Sequence, residues 1–230
     1  AEQMSAYLNT GAVTNALNIP SVSAEDAKKL KPYLNLVELL GSFTGQITES
    51  GLKSITIEYE GDVGHLNTKP MTAVALKGVL SPLVASVNMV NAPVIAQERG
   101  IKVSETTREQ TGNYRNLIRV ITETEKQTRE VVGTLFAGEP RIVEVNKVKV
   151  EASAAPHILY VNNEDKPGLI GGIGNLLGEA NINIANFHLG RGSSNDGAVA
   201  LVEVDQPVTD EMLKKVSALP SVKQAKALRF

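Results

Sequence analysis

The sequence of 230 residues contains no cysteine and no tryptophan, and aromatic residues make up only 4% of it. The absence of cysteine excludes disulfides, thiol nucleophiles and cysteine-ligated zinc or iron–sulfur centres. No apolar run approaches the ~20 residues of a membrane-spanning helix, and the N-terminus lacks the basic and apolar regions of a signal peptide. We therefore expect a cytoplasmic protein with no membrane partner. Hydrophobic residues still make up 42% of the chain, enough for a mainly aliphatic core.

An excess of charge of either sign is also missing. Lys and Arg together number 23 and Asp and Glu 25, which gives a formal net charge of −2. Proteins that bind nucleic acid usually carry a basic excess on one face. The balance therefore predicts no nucleic-acid partner, and the length allows one large domain or two small ones.

The first residues look like the end of a helix rather than the start of a protein. Met4 and Leu8 lie four residues apart on one helical face, and residues 9–11 (Asn-Thr-Gly) supply a stop signal. Ala1 is not an initiator methionine, so we expect the chain to be cut from a longer protein. Residues 12–23 are predicted to be a connector.

The segment that follows combines helices with a run of strands. Ser23 is predicted to cap an amphipathic helix, and a strand with one exposed face comes after it. Pro70 opens a second helical run that ends at Asn88 or Asn91, and Asn91 is predicted to cap a further short helix. Residues 101–150 then contain five candidate strands with a period of two. Grouped helices followed by consecutive strands are typical of an α+β layer.

The last segment has the pattern of one compact unit. Residues 153–156 (SAAP) are predicted to form a domain boundary. Strands and helices then follow in the ferredoxin-like order βαββαβ, with residues 194–197 as the turn of the central hairpin. The predicted fold class is α+β. Residues 1–22 would be a remnant and linker, residues 23–152 a mixed α+β domain, and residues 153–230 a ferredoxin-like domain.

None of the spacings typical of catalytic or metal sites occurs. His65, His157 and His188 are spread over the chain outside any HExxH-like arrangement, and we interpret them as core or surface residues. There is no P-loop and no GxSxG elbow. The glycine cluster that begins at Gly168 misses the dinucleotide fingerprint, because its third glycine would fall at Leu177. We therefore predict no catalytic residue, no metal ligand and no cofactor in this chain.

The loop that precedes the first helix of the last segment favours a ligand instead. Pro167 is predicted to open this helix, whose first amides have no intrahelical partner and can bind a carboxylate. Gly168 removes a Cβ that would block close approach, and Asp165 offers a negative charge to an ammonium group. Together these groups complement the two charges of a small α-amino acid. An equally simple interpretation is that Asp165 is only the N-cap of the helix.

Residues 163–191, NEDKPGLIGGIGNLLGEANINIANFHLGR, closely resemble the signature of ACT domains, which are small regulatory modules that bind amino acids at domain–domain interfaces. Separated motifs extend a second resemblance over nearly the whole chain: TNALNIP at residues 14–20, KPYL at 31–34, LGSF at 40–43 and NAP with ERG within 91–100. Together and in this order they are similar to the long-form D-3-phosphoglycerate dehydrogenases. Enzymes of that family are NAD-dependent, begin serine biosynthesis and carry an intervening domain before a closing ACT domain.

The resemblance implies a regulatory fragment that binds L-serine for feedback inhibition. Asn163, Asp165 and Asn183 match the positions at which this family contacts serine, with Asn183 supplied by the neighbouring subunit, and Pro167 and Gly168 complete the loop. The implied partner is a second copy, in a dimer or tetramer formed through ACT domains. The catalytic and NAD-binding residues of the family have no counterparts here. NAD is thus expected only in the parent enzyme, and this chain should be inactive by itself.

The resemblance also implies a second, anion-binding site in the intervening domain. Arg141 matches one basic residue of that site, but the others fall near Glu151 and Glu203, which are acidic. Lys147 and Lys149 on the adjoining strands could compensate. A solvated strand face is the simpler interpretation of these two lysines.

Other functions stay open at this point. The regulatory subunit of an iron–sulfur L-serine dehydratase uses a similar domain pair, although the segment at residues 15–20 disfavours it. A free-standing amino-acid sensor, or an interaction protein that pairs through its edge strands and binds no metabolite, would also fit the elements. An unrecognised hydrolase or transferase would lack any nucleophile–base spacing.

Overall fold

The computed structural model describes residues 1–10, 23–49, 51–109, 112–192 and 197–230. The predicted connector before Ser23 and the tip of the predicted hairpin turn at residues 194–196 lie outside this part of the chain. Within it, no helix is both long and apolar enough to cross a membrane.

Six α-helices and ten strands make up the described part of the chain. The helices are α1 (Glu2–Thr10), α2 (Ala24–Ile47), α3 (Thr68–Leu80), α4 (Ala92–Glu98), α5 (Leu169–Glu179) and α6 (Asp210–Ser217), with one 3-10 turn at Asp62–His65. The strands are β1 (Leu52–Gly61), β2 (Lys102–Arg108), β3 (Asn116–Thr124), β4 (Thr128–Phe136), β5 (Glu139–Val145), β6 (Val148–Ser153), β7 (His157–Asn163), β8 (Ile184–Arg191), β9 (Ala198–Val204) and β10 (Val222–Arg229).

The strands form two sheets, and the residues form two compact units. One sheet has the order β2-β1-β3-β4-β5-β6, and the other has the order β10-β7-β9-β8. The units cover residues 1–141 and 142–230. The mixed α+β fold class and the ferredoxin-like order of the last segment are confirmed, whereas the domain boundaries after residues 22 and 152 stay predictions.

In the first unit, α2 and α3 pack together through glycine. A Cβ on Gly41 would lie only 2.4 Å from the carbonyl oxygen of Ala75, and one on Gly45 equally close to that of Val79. The predicted N-cap of α2 is confirmed, because the Ser23 hydroxyl accepts a hydrogen bond from the Asp26 amide at 3.1 Å. The α2 face that carries Phe43 is fully buried.

One prediction in this unit is wrong, and another is confirmed in part. Helix α3 ends at Leu80 and does not continue to Asn88 or Asn91. Pro82 follows within two residues, and it has no backbone N–H with which to continue the hydrogen-bond pattern of the helix. Asn91 is the N-cap residue of α4, as predicted, but its side chain forms no hydrogen bond to the first amides of the helix. Its Oδ1 instead accepts a hydrogen bond from the Asn88 amide in the turn that precedes α4.

The sheet of the second unit is covered on one face by α5 and α6. The strands pair antiparallel throughout, and the core between sheet and helices is aliphatic, with Leu159, Ile173 and Val202 fully buried. On the opposite face β6 approaches β8 at Gly190. A Cβ at that glycine would lie 2.3 Å from the Lys149 carbonyl oxygen, so a side chain there would separate the two strands.

Candidate functional site

The start of α5 is built by Pro167 and Gly168, but neither lies inside the helix. The helix begins at Leu169, and Gly168 is its N-cap with a left-handed backbone at φ 104°. An added Cβ would meet nothing within 4 Å, so glycine is needed here for its backbone conformation and not for space. No side chain caps this helix. The amides of its first turn therefore have no intrahelical partner and face outward with a partial positive charge.

Asp165 is not the N-cap, so that interpretation is wrong. Its carboxylate pairs with Arg191 at the end of β8, with the Arg191 Nε 2.8 Å and Nη2 2.6 Å from the same oxygen, Oδ2. The hydrogen bond and the charge of Asp165 raise the pKa of Arg191, which stays fully charged. In the described ranges, Oδ1 of Asp165 has no partner and is left as an acceptor.

Asn163 supplies a second open acceptor at the end of β7. The residue is only 2% exposed, and its Nδ2 donates to the Glu164 carbonyl at 2.6 Å. Its Oδ1 is buried and finds no hydrogen-bond partner among the residues that the structure covers. A buried polar atom without a partner costs free energy unless a ligand or water satisfies it. This oxygen is therefore an acceptor that a ligand or a water molecule can satisfy.

Strand register brings these groups to one place. Asn163 on β7 and Arg191 on β8 both lie directly opposite Ala198 on the intervening strand β9. Directly opposite residues share a face of the sheet, here the face that the helices cover. The two side chains thus stand on the same face, two strand spacings or about 10 Å apart at the backbone, with the start of α5 above them.

These residues line a cavity of about 290 Å³. Its walls come from the β7–α5 loop, the first turn of α5 and the ends of β8 and β9: Asn163, Asp165, Lys166, Pro167, Gly168, Leu169, Ile170, Gly171, Leu189, Arg191 and Ala198. Four of the five residues predicted for the effector site are in this lining. Arg191 was missed, although alternation along β8 from Phe187 through Leu189 would have placed it on the helix-covered face.

Asn183, the fifth predicted residue, does not line the cavity. It is exposed just before β8, and its Nδ2 donates to Asp205 Oδ2 at 2.8 Å. This hydrogen bond fixes the orientation of the Asn183 side-chain amide. Its role as a contact supplied to a neighbouring subunit's ligand stays a prediction.

The opposite face of the same sheet carries a buried polar cluster around Glu203. This residue is 6% exposed, and its carboxylate accepts hydrogen bonds from Ser153 at 3.0 Å and Asn186 at 2.7 Å and contacts His188 Nε2 at 3.2 Å. Burial by itself raises the pKa of Glu203. The hydrogen bonds from Asn186, Ser153 and His188 outweigh it, so the pKa lies below its ordinary value.

The basic residues predicted for a second anion site are distributed as follows. Arg141 is half-buried on β5, Lys147 lies in the β5–β6 turn with φ 67°, and Lys149 is exposed on β6. Their role as an anion site stays a prediction. In the ranges covered by the structure, no three His, Asp or Glu side chains come close enough together to hold a metal ion.

A βαββαβ module with a ligand-sized cavity at the start of its first helix, placed after a mixed α+β unit, is the arrangement of a regulatory ACT domain. Residues 157–221 match the family model of the ACT domain. Residues 29–146, about half of the chain, match the model described as the D-3-phosphoglycerate dehydrogenase intervening domain. The chain belongs to this D-3-phosphoglycerate dehydrogenase family.

Curated relatives support the same assignment. D-3-phosphoglycerate dehydrogenase of Methanocaldococcus jannaschii is 32% identical over 231 residues, which is 100% of this chain and 44% of that protein. The enzyme of the same name from Bacillus subtilis is 32% identical over 94% of this chain and 42% of its own length. The chloroplastic D-3-phosphoglycerate dehydrogenase 3 of Arabidopsis thaliana is 28% identical over 97% of this chain and 41% of its own length. The chain thus spans about two fifths of the length of these relatives.

Proposed function

We propose that this chain is the regulatory part of a D-3-phosphoglycerate dehydrogenase and that it binds L-serine in the cavity at the start of α5. The observation that carries the proposal is the buried Asn163 Oδ1, which has no hydrogen-bond partner among the described residues and lies beside a helix start without a side-chain cap. An acceptor and a set of unpaired donors at one small cavity match a ligand that carries an ammonium group and a carboxylate on the same carbon.

The chemistry of binding follows from these groups. The ligand's ammonium donates to Asn163 Oδ1 and Asp165 Oδ1, and its carboxylate accepts from the amides of the first α5 turn. A second copy of the chain contributes Asn183, so the ligand bridges two subunits of a dimer or tetramer. Pro167 and Gly168 fix the turn that aims the amides at the cavity.

Inhibition then arises from a shift between two arrangements of the paired ACT domains. Serine stabilises the arrangement to which it binds better, and only such differential affinity can move the equilibrium. A coupling of roughly 1–3 kcal/mol changes activity by about 5–150-fold. We propose that NAD and the reacting substrate are bound elsewhere in the whole cytoplasmic enzyme and that this chain contributes no catalytic group.

Calorimetric titration of the chain with L-serine tests the proposal. We expect binding to the unmodified chain, and loss of measurable binding in Asp165→Ala and in Asn183→Ala. Matched controls are Glu164→Gln, whose side chain pairs with Lys166 and is not part of the cavity lining, and Asn175→Ala on the exposed side of α5. Both controls should bind L-serine like the unmodified chain.

Two results would contradict the proposal. Binding that survives in both site variants would place the ligand elsewhere. No heat at millimolar L-serine would favour an interaction protein that pairs through its sheet edges without a metabolite. Analytical ultracentrifugation of the same samples tests whether a second copy of the chain takes part in binding. A ligand that bridges two subunits must favour their association.

A further inference from the structure

Arg191 has more hydrogen-bonding capacity than its ion pair uses. A guanidinium carries five N–H donors in a fixed plane. Nε and Nη2 are directed at Asp165 Oδ2, which leaves both donors of Nη1 and one of Nη2 without a partner in the described part of the chain. The side chain is 71% exposed and lines the cavity. The pair with Asp165 therefore holds the guanidinium in place while most of its donors stay open.

The Asp165–Arg191 pair also has the charge pattern of the proposed ligand in reverse. The pair has no net charge, with a negative carboxylate next to a positive guanidinium at one wall of the cavity. An α-amino acid is likewise neutral, with a positive ammonium next to a negative carboxylate. When the amino acid lies antiparallel to the Asp165–Arg191 pair, its ammonium faces the carboxylate of Asp165 and its carboxylate faces the guanidinium of Arg191. The ligand as a whole is neutral, so no net charge is transferred from water.

We propose that Arg191 is a specificity-determining residue of this cavity, which binds the α-carboxylate of the amino acid while Asp165 and Asn163 bind its ammonium group. This inference rests on the proposed function and deepens it. The carboxylate has two oxygens, so one accepts from the first α5 amides and the other from Arg191 Nη1. A ligand that keeps the ammonium but lacks the carboxylate loses both interactions, and the cavity therefore selects α-amino acids over simple amines.

The neighbouring cation Lys166 offers a matched control. It lines the same cavity and carries the same charge, but its Nζ is paired with Glu164 Oε2 at 2.6 Å and not with Asp165. Removal of the Lys166 charge changes the electrostatic potential of the loop without removing a donor from the proposed carboxylate position. A specific role of Arg191 is thus separable from a general effect of positive charge.

The test is calorimetric titration with two ligands, L-serine and ethanolamine, which is L-serine without its carboxylate. We expect Arg191→Gln to weaken L-serine binding by roughly 10–100-fold and Lys166→Gln by less than about threefold. Arg191→Lys should retain part of the affinity, since it keeps the charge but not the planar fork. Ethanolamine should bind weakly to the unmodified chain, and its affinity should not fall in Arg191→Gln.

The outcomes separate this inference from the proposed function. If Arg191→Gln binds L-serine as well as or better than the unmodified chain, Arg191 merely competes for Asp165; the inference is overturned and the serine site stands. An equal loss of L-serine affinity in Lys166→Gln would also overturn the inference about Arg191. If the unmodified chain binds neither L-serine nor another α-amino acid, the proposed function and this inference fail together. Circular dichroism confirms that each variant is folded, as expected for substitutions at exposed side chains.

Discussion

At the scale of single residues, Glu203 shows how a carboxylate can remain charged inside a sheet. Its neighbours Ser153, Asn186 and His188 donate to it from two other strands, and together they outweigh the cost of burial. In the folded state the pKa of Glu203 lies below its ordinary value of 4.5. The ionised carboxylate therefore stabilises the fold at pH values above 4.5. The contribution is lost as the pH falls from about 4.5 through the lower folded pKa.

We therefore expect Glu203→Gln to destabilise the chain by about 1–2 kcal/mol at pH 7, since it exchanges charge-assisted hydrogen bonds for weaker ones. The loss of stability between pH 5 and pH 3 should become less steep than in the unmodified chain. Urea unfolding at a series of pH values measures both effects. Glu139→Gln, at an exposed strand position, is the control, and a matching effect in it would contradict the assignment to Glu203.

At the scale of elements, glycines in helices have opposite roles in the two units. In α2, Gly41 allows the backbone of α3 to approach so closely that a Cβ would overlap the Ala75 carbonyl oxygen. In α5, Gly174 has open space where its Cβ would be. The first glycine is required for helix packing, whereas the second only lowers helix propensity.

This contrast predicts that a glycine-to-alanine substitution has opposite effects on stability at these two positions. Gly41→Ala should destabilise the chain by about 1–3 kcal/mol, because α2 and α3 must move apart. Gly174→Ala should stabilise it by about 0.5–1 kcal/mol, because alanine restricts the unfolded chain and fits the helix. Denaturant unfolding of the two variants side by side provides the measurement. A stabilising Gly41→Ala would show that the helices are not packed through this glycine.

At the scale of the whole molecule, each unit has its own buried core, and the proposed ligand contacts only the second. At a ligand concentration 100 times its dissociation constant, L-serine should stabilise the folded state by about 2.7 kcal/mol. Hydrogen exchange followed by mass spectrometry should show increased protection in peptides that cover residues 158–175 and 183–204. Peptides from α2 and α3 should exchange at unchanged rates. Equal protection in both units would contradict a site confined to the second.

The sequence predicted most of the elements because their signals are local. Alternation of apolar and polar residues located all ten strands, and Ser23 was correctly assigned as the cap at the start of α2. The loop that lines the cavity was located for the same reason, since its residues are contiguous. The prediction failed where local signals disagreed. In the segment from Ser81 to Asn91 the apolar periodicity indicates a helix, but the structure has a turn that contains Pro82.

Contacts between distant residues were not predictable in this way. Asp165 could have been a helix cap or a ligand contact, and only the register of β7, β9 and β8 brings Arg191 within 2.6 Å of it. The burial of Asn163 Oδ1 and of Glu203 likewise depends on which elements cover each face of the sheet.

The sequence by itself thus determined the α+β class, the exclusion of thiol chemistry and the loop that carries the cavity, because these depend on residue type and short-range periodicity. Only the tertiary structure decided which acceptors are left open, which cation stands beside Asp165 and which carboxylate is buried. Those properties depend on strand register and on packing between residues far apart in the chain, and no local pattern encodes them.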